Sequence, residues 1–188
     1  IYSKGKIYIF SLRDGIKFHN GTPVTPEDVK FSLERMVDPH SKSPNASLLS
    51  PIEGFEEFHS GKTAHLKGIE ILSDREIKIT LKKPYSGLIH NLALVPCAIV
   101  PASEASREDF ATNPVGCGIF VFKEWQKGDY LLLSRNIDYY SEKPLIESVK
   151  IYTDKKSEEI KRMFENGELD HISAGSYKAG QGKPCLLY

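Results

Sequence analysis

The strongest candidate for chemistry in this 188-residue sequence is a cysteine between two glycines, Gly116-Cys117-Gly118. A thiol on a tight turn acts as a nucleophile when the fold brings a base to it, and His90 is the histidine considered for that role. Glycines that lead into a strand more often serve the backbone, because they permit unusual dihedral angles and close chain approach. The pattern favours a structural turn, and an enzyme that uses Cys117 stays the weaker alternative.

The other titratable residues lack the spacing of a metal site or an acid–base pair. None of the six histidines has a partner four residues away, the spacing that places two imidazoles on one helix face. The three cysteines form no CxxC pair, which argues against a zinc site and against a disulfide framework. We therefore expect no metal, no cofactor and no catalytic residue.

The charge balance excludes two classes of partner. Lys and Arg number 25 and Asp and Glu number 25, so the formal net charge is zero and no broad field favours nucleic acid or an anionic membrane. The longest apolar run, near 92–100, contains Pro96 and is far shorter than the roughly 20 residues of a bilayer span. Because the chain opens on Ile1 and has no signal peptide, we expect a mature, trimmed product or a fragment.

The clearest predicted helix begins after Thr25. A capping hydroxyl, Pro26 at the first helical position and two early acidic residues all suit a helix N-terminus. Apolar residues and one serine recur at helical spacing and predict an inward face: Val29, Ser32, Leu33 and Met36. The stretch DPHSKSP then ends the helix.

Alternating apolar residues predict strands in two regions. KIYIFSL, at 6–12, reads as a strand buried on both faces, and LKGIEILSDREIKITL, at 66–81, reads as a hairpin. The hairpin's core candidates are Ile69, Ile71, Ile77, Ile79 and Leu81. A second hairpin at 118–135, a strand near 147–153 and an amphipathic helix ending at Gly167 follow. Short helices are predicted within 85–94 and at 103–110.

Several ordered motifs resemble one known family. YIFSLRDGIKFHNGTPVTPEDVKFSLER, DPHSKSPNAS, GIEILSDREIKITLKKP, NPVGCGIFVFKEWQKGDYLLLSRNIDYYSEKPLIESVKIY and MFENGELD follow each other at family spacing. They resemble the extracytoplasmic solute-binding proteins of the peptide and nickel ABC importers. The resemblance spans about 6–172. The family typically has threonine in place of Cys117 and proline in place of Ile119.

The resemblance implies a fold and a function. It implies an α/β (mixed α+β) lobe of the periplasmic-binding-protein type, with mixed and antiparallel sheets and flanking helices. Residues 1–172 would form part of the first lobe, and 173–188, rich in Gly, Ser and Lys, would be a flexible or non-native tail. The implied function is to capture peptides, or a related solute such as a nickel chelate, haem or a sugar, for an ABC permease. The implied protein is a periplasmic or lipid-anchored monomer, and a peptide sensor not coupled to transport is the alternative.

Position against the family also implies ligand-binding residues. Asn45 and Ala46, together with the connector formed by Leu94, Val95, Pro96 and Cys97, would face the cleft. Pro114, Gly116 and Cys117 would lie near the crossing toward the hinge. Loop packing alone is an alternative explanation for Asn45, and core packing for Leu94.

Overall fold

Two three-stranded sheets and four α-helices organise the computed structural model, which describes residues 2–172. The strands are β1 (Ile7–Ser11), β2 (Ile69–Ile71), β3 (Glu76–Thr80), β4 (Phe120–Gln126), β5 (Tyr130–Arg135) and β6 (Ser148–Tyr152). The helices are α1 (Pro26–Val37), α2 (Phe55–His59), α3 (Leu88–Leu92) and α4 (Ser157–Glu165), with short 3-10 turns at Ser3–Gly5, Pro39–Ser41, Ala46–Leu49 and Val95–Cys97. Every strand pair among residues 2–172 is antiparallel. The predicted mixed α+β fold with antiparallel sheets and helices is confirmed, whereas the mixed sheet that was also expected does not occur among residues 2–172.

The first sheet has the order β1-β3-β2 and packs its inner face against α1. Ile69, Ile77, Ile79 and Leu81 are buried as predicted. The prediction for Ile71 was wrong, since this residue is 37% exposed. It ends the edge strand β2 beside the 72–75 turn, where none of the elements within residues 2–172 covers its side chain.

The first strand also differs from its prediction. Residues 6–12 were expected to be buried on both faces, but among residues 7–11 only Tyr8 is fully buried. Tyr8 and Phe10 pair with Ile79 and Ile77 on the face that packs on the core, whereas Ile7, Ile9 and Ser11 lie on the other face and stay at least partly exposed. The alternation of large apolar residues alone does not distinguish a strand covered on one face from a strand covered on both.

Helix α1 begins and ends where the sequence predicts. The Thr25 hydroxyl accepts a bond from the Asp28 N–H, and the Asp28 carboxylate accepts from the Thr25 N–H, so the cap is reciprocal. Ser32, Leu33 and Met36 are buried. The inward face of the helix is therefore confirmed.

The second sheet has the order β4-β5-β6 and one apolar face. Leu131 pairs with Trp125 on one side and with Ile151 on the other, which places the three side chains on the same face. Trp125 is 41% and Ile151 46% exposed, so the described residues cover this face only in part. On the opposite face the Lys150 ammonium lies 3.8 Å from the Tyr130 ring centre.

The C-terminal helix also follows its prediction. After α4, Gly167 adopts a φ of 76°, and the N–H of Glu168 bonds to the Met163 carbonyl at 2.8 Å. This pattern is a glycine C-cap. The predicted tail at 173–188 lies outside the described residues.

One predicted helix is absent from residues 103–110, which form consecutive turns. Arg107 holds them by bonding the carboxylates of Glu104 and Asp109 and, at 2.8 Å, the Asn113 carbonyl. The eight residues 103–110, bounded by Pro101 and Pro114, would gain too few helical hydrogen bonds to offset the cost of helix nucleation.

In the part of the chain that is described, no helix has the length and apolar character that a membrane crossing needs.

Candidate functional site

The loop around Asn45 packs against the hydrophobic core between α1 and the first sheet. Some of its side chains point to solvent and others into that core. Asn45 is exposed, whereas the next residue, Ala46, is buried in the core. The Asn91 amide of α3 donates a 2.8 Å bond to the Leu48 carbonyl, which holds the 46–49 turn against α3. The loop therefore has a fixed position next to the start of the 94–97 connector.

The connector from Leu94 to Cys97 also has both exposed and buried side chains. Val95 is 87% exposed and Leu94 36% exposed, and Pro96 is exposed as well. Cys97 is buried, with its Sγ 4.0 Å from the Met36 Sδ in the last turn of α1. Leu94, Val95 and Pro96 thus form an exposed surface, and Cys97 anchors it to the core.

The chain then runs along α1 toward its first turn. The Ser32 hydroxyl accepts a 2.9 Å bond from the Val100 N–H, and the Asp28 carboxylate accepts a 2.9 Å bond from the Ala102 N–H. At 1.5 Å per residue, α1 is about 18 Å long. Residues 94–97 lie near its last turn, while the chain that follows reaches its N-terminal end.

The third predicted group lies on that N-terminal side, against the loop that leads into α1. Pro114 is exposed, and Gly116 and Cys117 are half-buried. The His19 N–H donates a 2.7 Å bond to the Gly116 carbonyl. The structure therefore divides the predicted site: Asn45, Ala46 and 94–97 lie together, and 114–117 forms a separate joint.

An aromatic pair borders this joint. The Tyr139 and Tyr140 rings lie 4.4 Å apart, and the Tyr139 hydroxyl donates a 3.3 Å bond to the Tyr140 hydroxyl. This hydrogen bond is the main cause of the raised pKa of Tyr140, and partial burial is the second cause. The Arg13 guanidinium lies 5.8 Å from the Tyr140 ring centre. The tyrosines contact each other, and Tyr140 also contacts Arg13, so the pair packs against its own chain.

The environment of Cys117 gives a nucleophile little support. Burial raises the pKa of its thiol, so a smaller fraction is thiolate at neutral pH. The histidine beside this turn is His19, and both of its ring nitrogens lie within bonding distance of backbone atoms. Within residues 2–172 no group of three or more His, Cys, Asp or Glu side chains is placed to hold a metal ion.

Alkylation of Cys117 by iodoacetamide is expected to be slower in the folded chain than in urea. Because the pKa of the Cys117 thiol is raised in the folded chain, a smaller fraction of it is thiolate at about pH 8.5 than for a free cysteine. The thiolate fraction, and with it the labelling rate, should rise only at higher pH. Peptide mapping by mass spectrometry separates Cys117 from Cys97 and Cys185. Faster labelling of Cys117 in the folded chain at pH 7 would indicate an activated thiol and contradict this expectation.

Two residues of the joint were not anticipated from the sequence. His19 was read as one of several scattered histidines, and Asn136 was not singled out at all. The Asn136 amide donates a 2.9 Å bond to the Gly118 carbonyl, and its N–H bonds to the Ile119 carbonyl at 2.9 Å. The only available signal is position: Asn136 directly follows β5 and His19 lies in the loop that leads into α1, where a side chain can satisfy a free backbone group.

The fold points to a class of protein. A mixed α+β unit with antiparallel sheets and flanking helices is typical of a lobe of a periplasmic binding protein. The profile of the bacterial extracellular solute-binding proteins, family 5 middle, matches residues 2–181. The chain belongs to this family.

Individual relatives agree with this assignment. The probable D,D-dipeptide-binding periplasmic protein DdpA of Escherichia coli is 30% identical over 176 residues, which are 90% of this chain and 31% of that protein. The solved structure of the Escherichia coli murein tripeptide binding protein MppA matches with a TM-score of 0.83 and 26% identity, over 90% of this chain and 35% of that one. NikZ from Campylobacter jejuni, solved in complex with Ni(L-His), gives a TM-score of 0.75 and 26% identity, over 90% and 32%.

The chain therefore spans about a third of the length of the relatives that it matches, from 31% to 35% in these comparisons. The relatives are solute-binding proteins and not enzymes.

Proposed function

We propose that this chain provides one wall of the ligand cleft of an ABC-importer receptor that captures peptides or a related small solute outside the cytoplasm. The observation that carries the proposal is the family match over residues 2–181. The names of the relatives support small peptides as the ligand class, and the nickel–histidine complex of NikZ keeps a metal chelate as the second candidate. No cofactor or catalytic residue is part of the proposal.

The proposed wall consists of the Asn45 loop and the exposed part of the 94–97 connector. Asn45 offers an amide that can donate and accept hydrogen bonds. In the connector, the Val95 N–H and the Pro96 carbonyl can bond a peptide main chain, because the Leu94 N–H and the Leu94 and Val95 carbonyls already bond within the chain. Val95 offers apolar contact, since its side chain is almost fully exposed. Ala46 and Cys97 support this surface from the core, and Pro114, Gly116 and Cys117 lie at the joint rather than on the wall.

Binding would follow the two-lobe scheme. A ligand that touches both walls stabilises the closed state, because its contacts are complete only there. The closed receptor would then be the form that the membrane permease recognises. A single wall cannot enclose a ligand, so tight binding requires the opposing lobe.

We further propose that residues 1–172 form part of the first lobe and that the rest of that lobe covers the apolar face of the second sheet. Trp125 and Ile151 stand exposed on this face, and Leu145, in the loop before β6, is 94% exposed. Apolar areas of this kind mark contact surfaces. The relatives are about three times as long as this chain and have the additional chain that such a cover requires.

The cellular setting belongs to the same proposal. The receptor would act as a monomer in the periplasm or, through a lipid anchor, on the cell surface. The alternative is a sensor that binds the same peptides but does not deliver them to a permease. The two alternatives share the ligand site and differ only in the partner of the closed form.

Ligand screening on the complete product of the gene tests the proposal. Di-, tri- and oligopeptides should raise the thermal midpoint, and the nickel–histidine chelate, haem and sugars serve as competing classes. A ligand at 100 times its Kd adds about 2.7 kcal/mol to stability. Asn45→Ala should weaken the response, whereas Asp74→Ala, in the distant 72–75 turn, should not.

A thermal response to peptides combined with ATP-dependent uptake in vesicles that contain the permease would support the importer. Binding without uptake would favour the sensor. The proposal fails if the complete product responds to none of these ligand classes.

A further inference from the structure

The side chain of His19 connects two parts of the described structure, the part that contains the first sheet and α1 and the part that contains the second sheet. It lies in the 12–24 loop between β1 and α1, and its ring faces the 116–118 segment that leads into β4. The Nε2 atom lies 3.0 Å from the Gly118 carbonyl oxygen, and the Nδ1 atom lies 3.4 Å from the Gly116 nitrogen. One imidazole therefore spans the backbone on both sides of Cys117.

These contacts select a single form of the ring. A backbone N–H only donates, so Nδ1 must present its lone pair to Gly116. A carbonyl only accepts, so Nε2 must carry the proton that is shared with Gly118. The neutral Nε2–H tautomer alone satisfies both atoms, because protonation of Nδ1 would set two N–H groups against each other.

Other bonds converge on the same place. The Gly118 carbonyl also accepts from the Asn136 amide at 2.9 Å, so side chains from both halves share one acceptor. The backbone N–H of His19 bonds to the Gly116 carbonyl at 2.7 Å. Arg13, from the start of the same loop, lies over the Tyr140 ring in the β5–β6 connection.

We propose that His19, as the neutral Nε2–H tautomer, is a positioning residue that clamps the 116–118 segment to the loop before α1. The clamp thereby sets how the first sheet and α1 are oriented relative to the second sheet. The proposed wall packs against α1 and is oriented with it. This inference concerns the joint between the two sheets and does not depend on the identity of any ligand. The proposed function can fail while the clamp stands, and the reverse also holds.

Nitrogen NMR of the imidazole tests the tautomer in the unmodified chain. We expect the His19 ring at pH 7.5 to show a protonated Nε2 and an unprotonated Nδ1. His90, exposed and with no side-chain bond to the described residues, provides the comparison and should show the averaged tautomers of a solvated ring. A protonated Nδ1 on His19, or the averaged pattern of His90, would overturn the proposal.

Substitutions separate the clamp from simple space filling. The amide of His19→Gln can accept from one backbone group and donate to another, whereas His19→Leu fills space without hydrogen bonding. Hydrogen exchange of the Gly116 amide, whose N–H bonds to the His19 ring, should be about tenfold faster in His19→Leu, the effect of losing a hydrogen bond worth about 1.4 kcal/mol, and close to wild type in His19→Gln. The amides of Ile79 and Leu132, inside the two sheets, should not change.

Equal protection in the leucine and glutamine variants would mean that His19 acts by volume and would overturn the clamp. If the leucine variant does not fold, the tautomer measured in the unmodified chain still decides the question.

Discussion

Asp28→Ala is expected to lower the free energy of unfolding by about 2–4 kcal/mol, the sum of a lost helix cap and an unpaired N–H. One oxygen of Asp28 accepts from the Thr25 N–H at 3.0 Å, and the other accepts from the Ala102 N–H at 2.9 Å. Alanine removes both bonds and leaves the partly buried Ala102 N–H without a partner. Urea unfolding followed by circular dichroism measures the loss.

Two neighbouring substitutions identify the source of the effect. Thr25→Ala removes only the hydroxyl of the cap and should cost about 0.5–2 kcal/mol. Glu27→Ala removes a carboxylate from the same turn that makes no side-chain bond to the described residues, and should cost at most about 1 kcal/mol through the helix dipole. If Asp28→Ala costs no more than Glu27→Ala, the hydrogen bonds assigned to Asp28 do not stabilise the fold.

Gly68→Ala is expected to cost about 3 kcal/mol, the upper end of the overpacking range. A Cβ at this position would lie 2.6 Å from the Thr80 carbonyl oxygen, 2.6 Å from the Ile52 Cγ2 and 2.8 Å from the Glu53 nitrogen. Two of these are backbone atoms, so a side-chain rotation cannot relieve the clash. The Gly68 N–H also bonds to the Glu53 carbonyl at 2.7 Å, which fixes the close approach.

Gly118→Ala is the matched control for this substitution. Nothing lies within 4 Å of a Cβ added there. Its free energy of unfolding should stay within about 0.5 kcal/mol of wild type, the usual range for surface changes. A Gly68→Ala variant as stable as Gly118→Ala would show that the strand beside Gly68 moves freely and that the close contact is not a constraint.

Local rules predicted the elements of this chain well. The cap at Thr25, the inward face of α1, both hairpins and the glycine end of α4 each depend on neighbours within a few residues. Such signals are complete in the sequence. The helix predicted at 103–110 does not form. Its bounding prolines were visible in the sequence, but the bonds of Arg107 that hold the segment in turns were not.

Contacts between distant segments could not be predicted in the same way. Gly68 was included in the predicted hairpin without a role of its own, although its close contacts are with Thr80 and Glu53. His19 and Gly118 are 99 residues apart, and no local pattern states that they meet. The division of the predicted site into a wall and a joint follows from the length and placement of α1, which only the folded structure supplies.

Titration calorimetry of the 188-residue chain with a mixed pool of di- to pentapeptides tests the central claim, that this chain is one wall of a cleft. A site that holds a small ligand tightly encloses most of its surface, and the described wall offers an exposed amide, a short stretch of backbone and few other polar groups. We expect a Kd no tighter than about 1 mM, equivalent to about 4 kcal/mol. The complete gene product should bind the same pool far more tightly. Micromolar binding by the 188-residue chain would contradict the account, because the whole site would then lie within these residues.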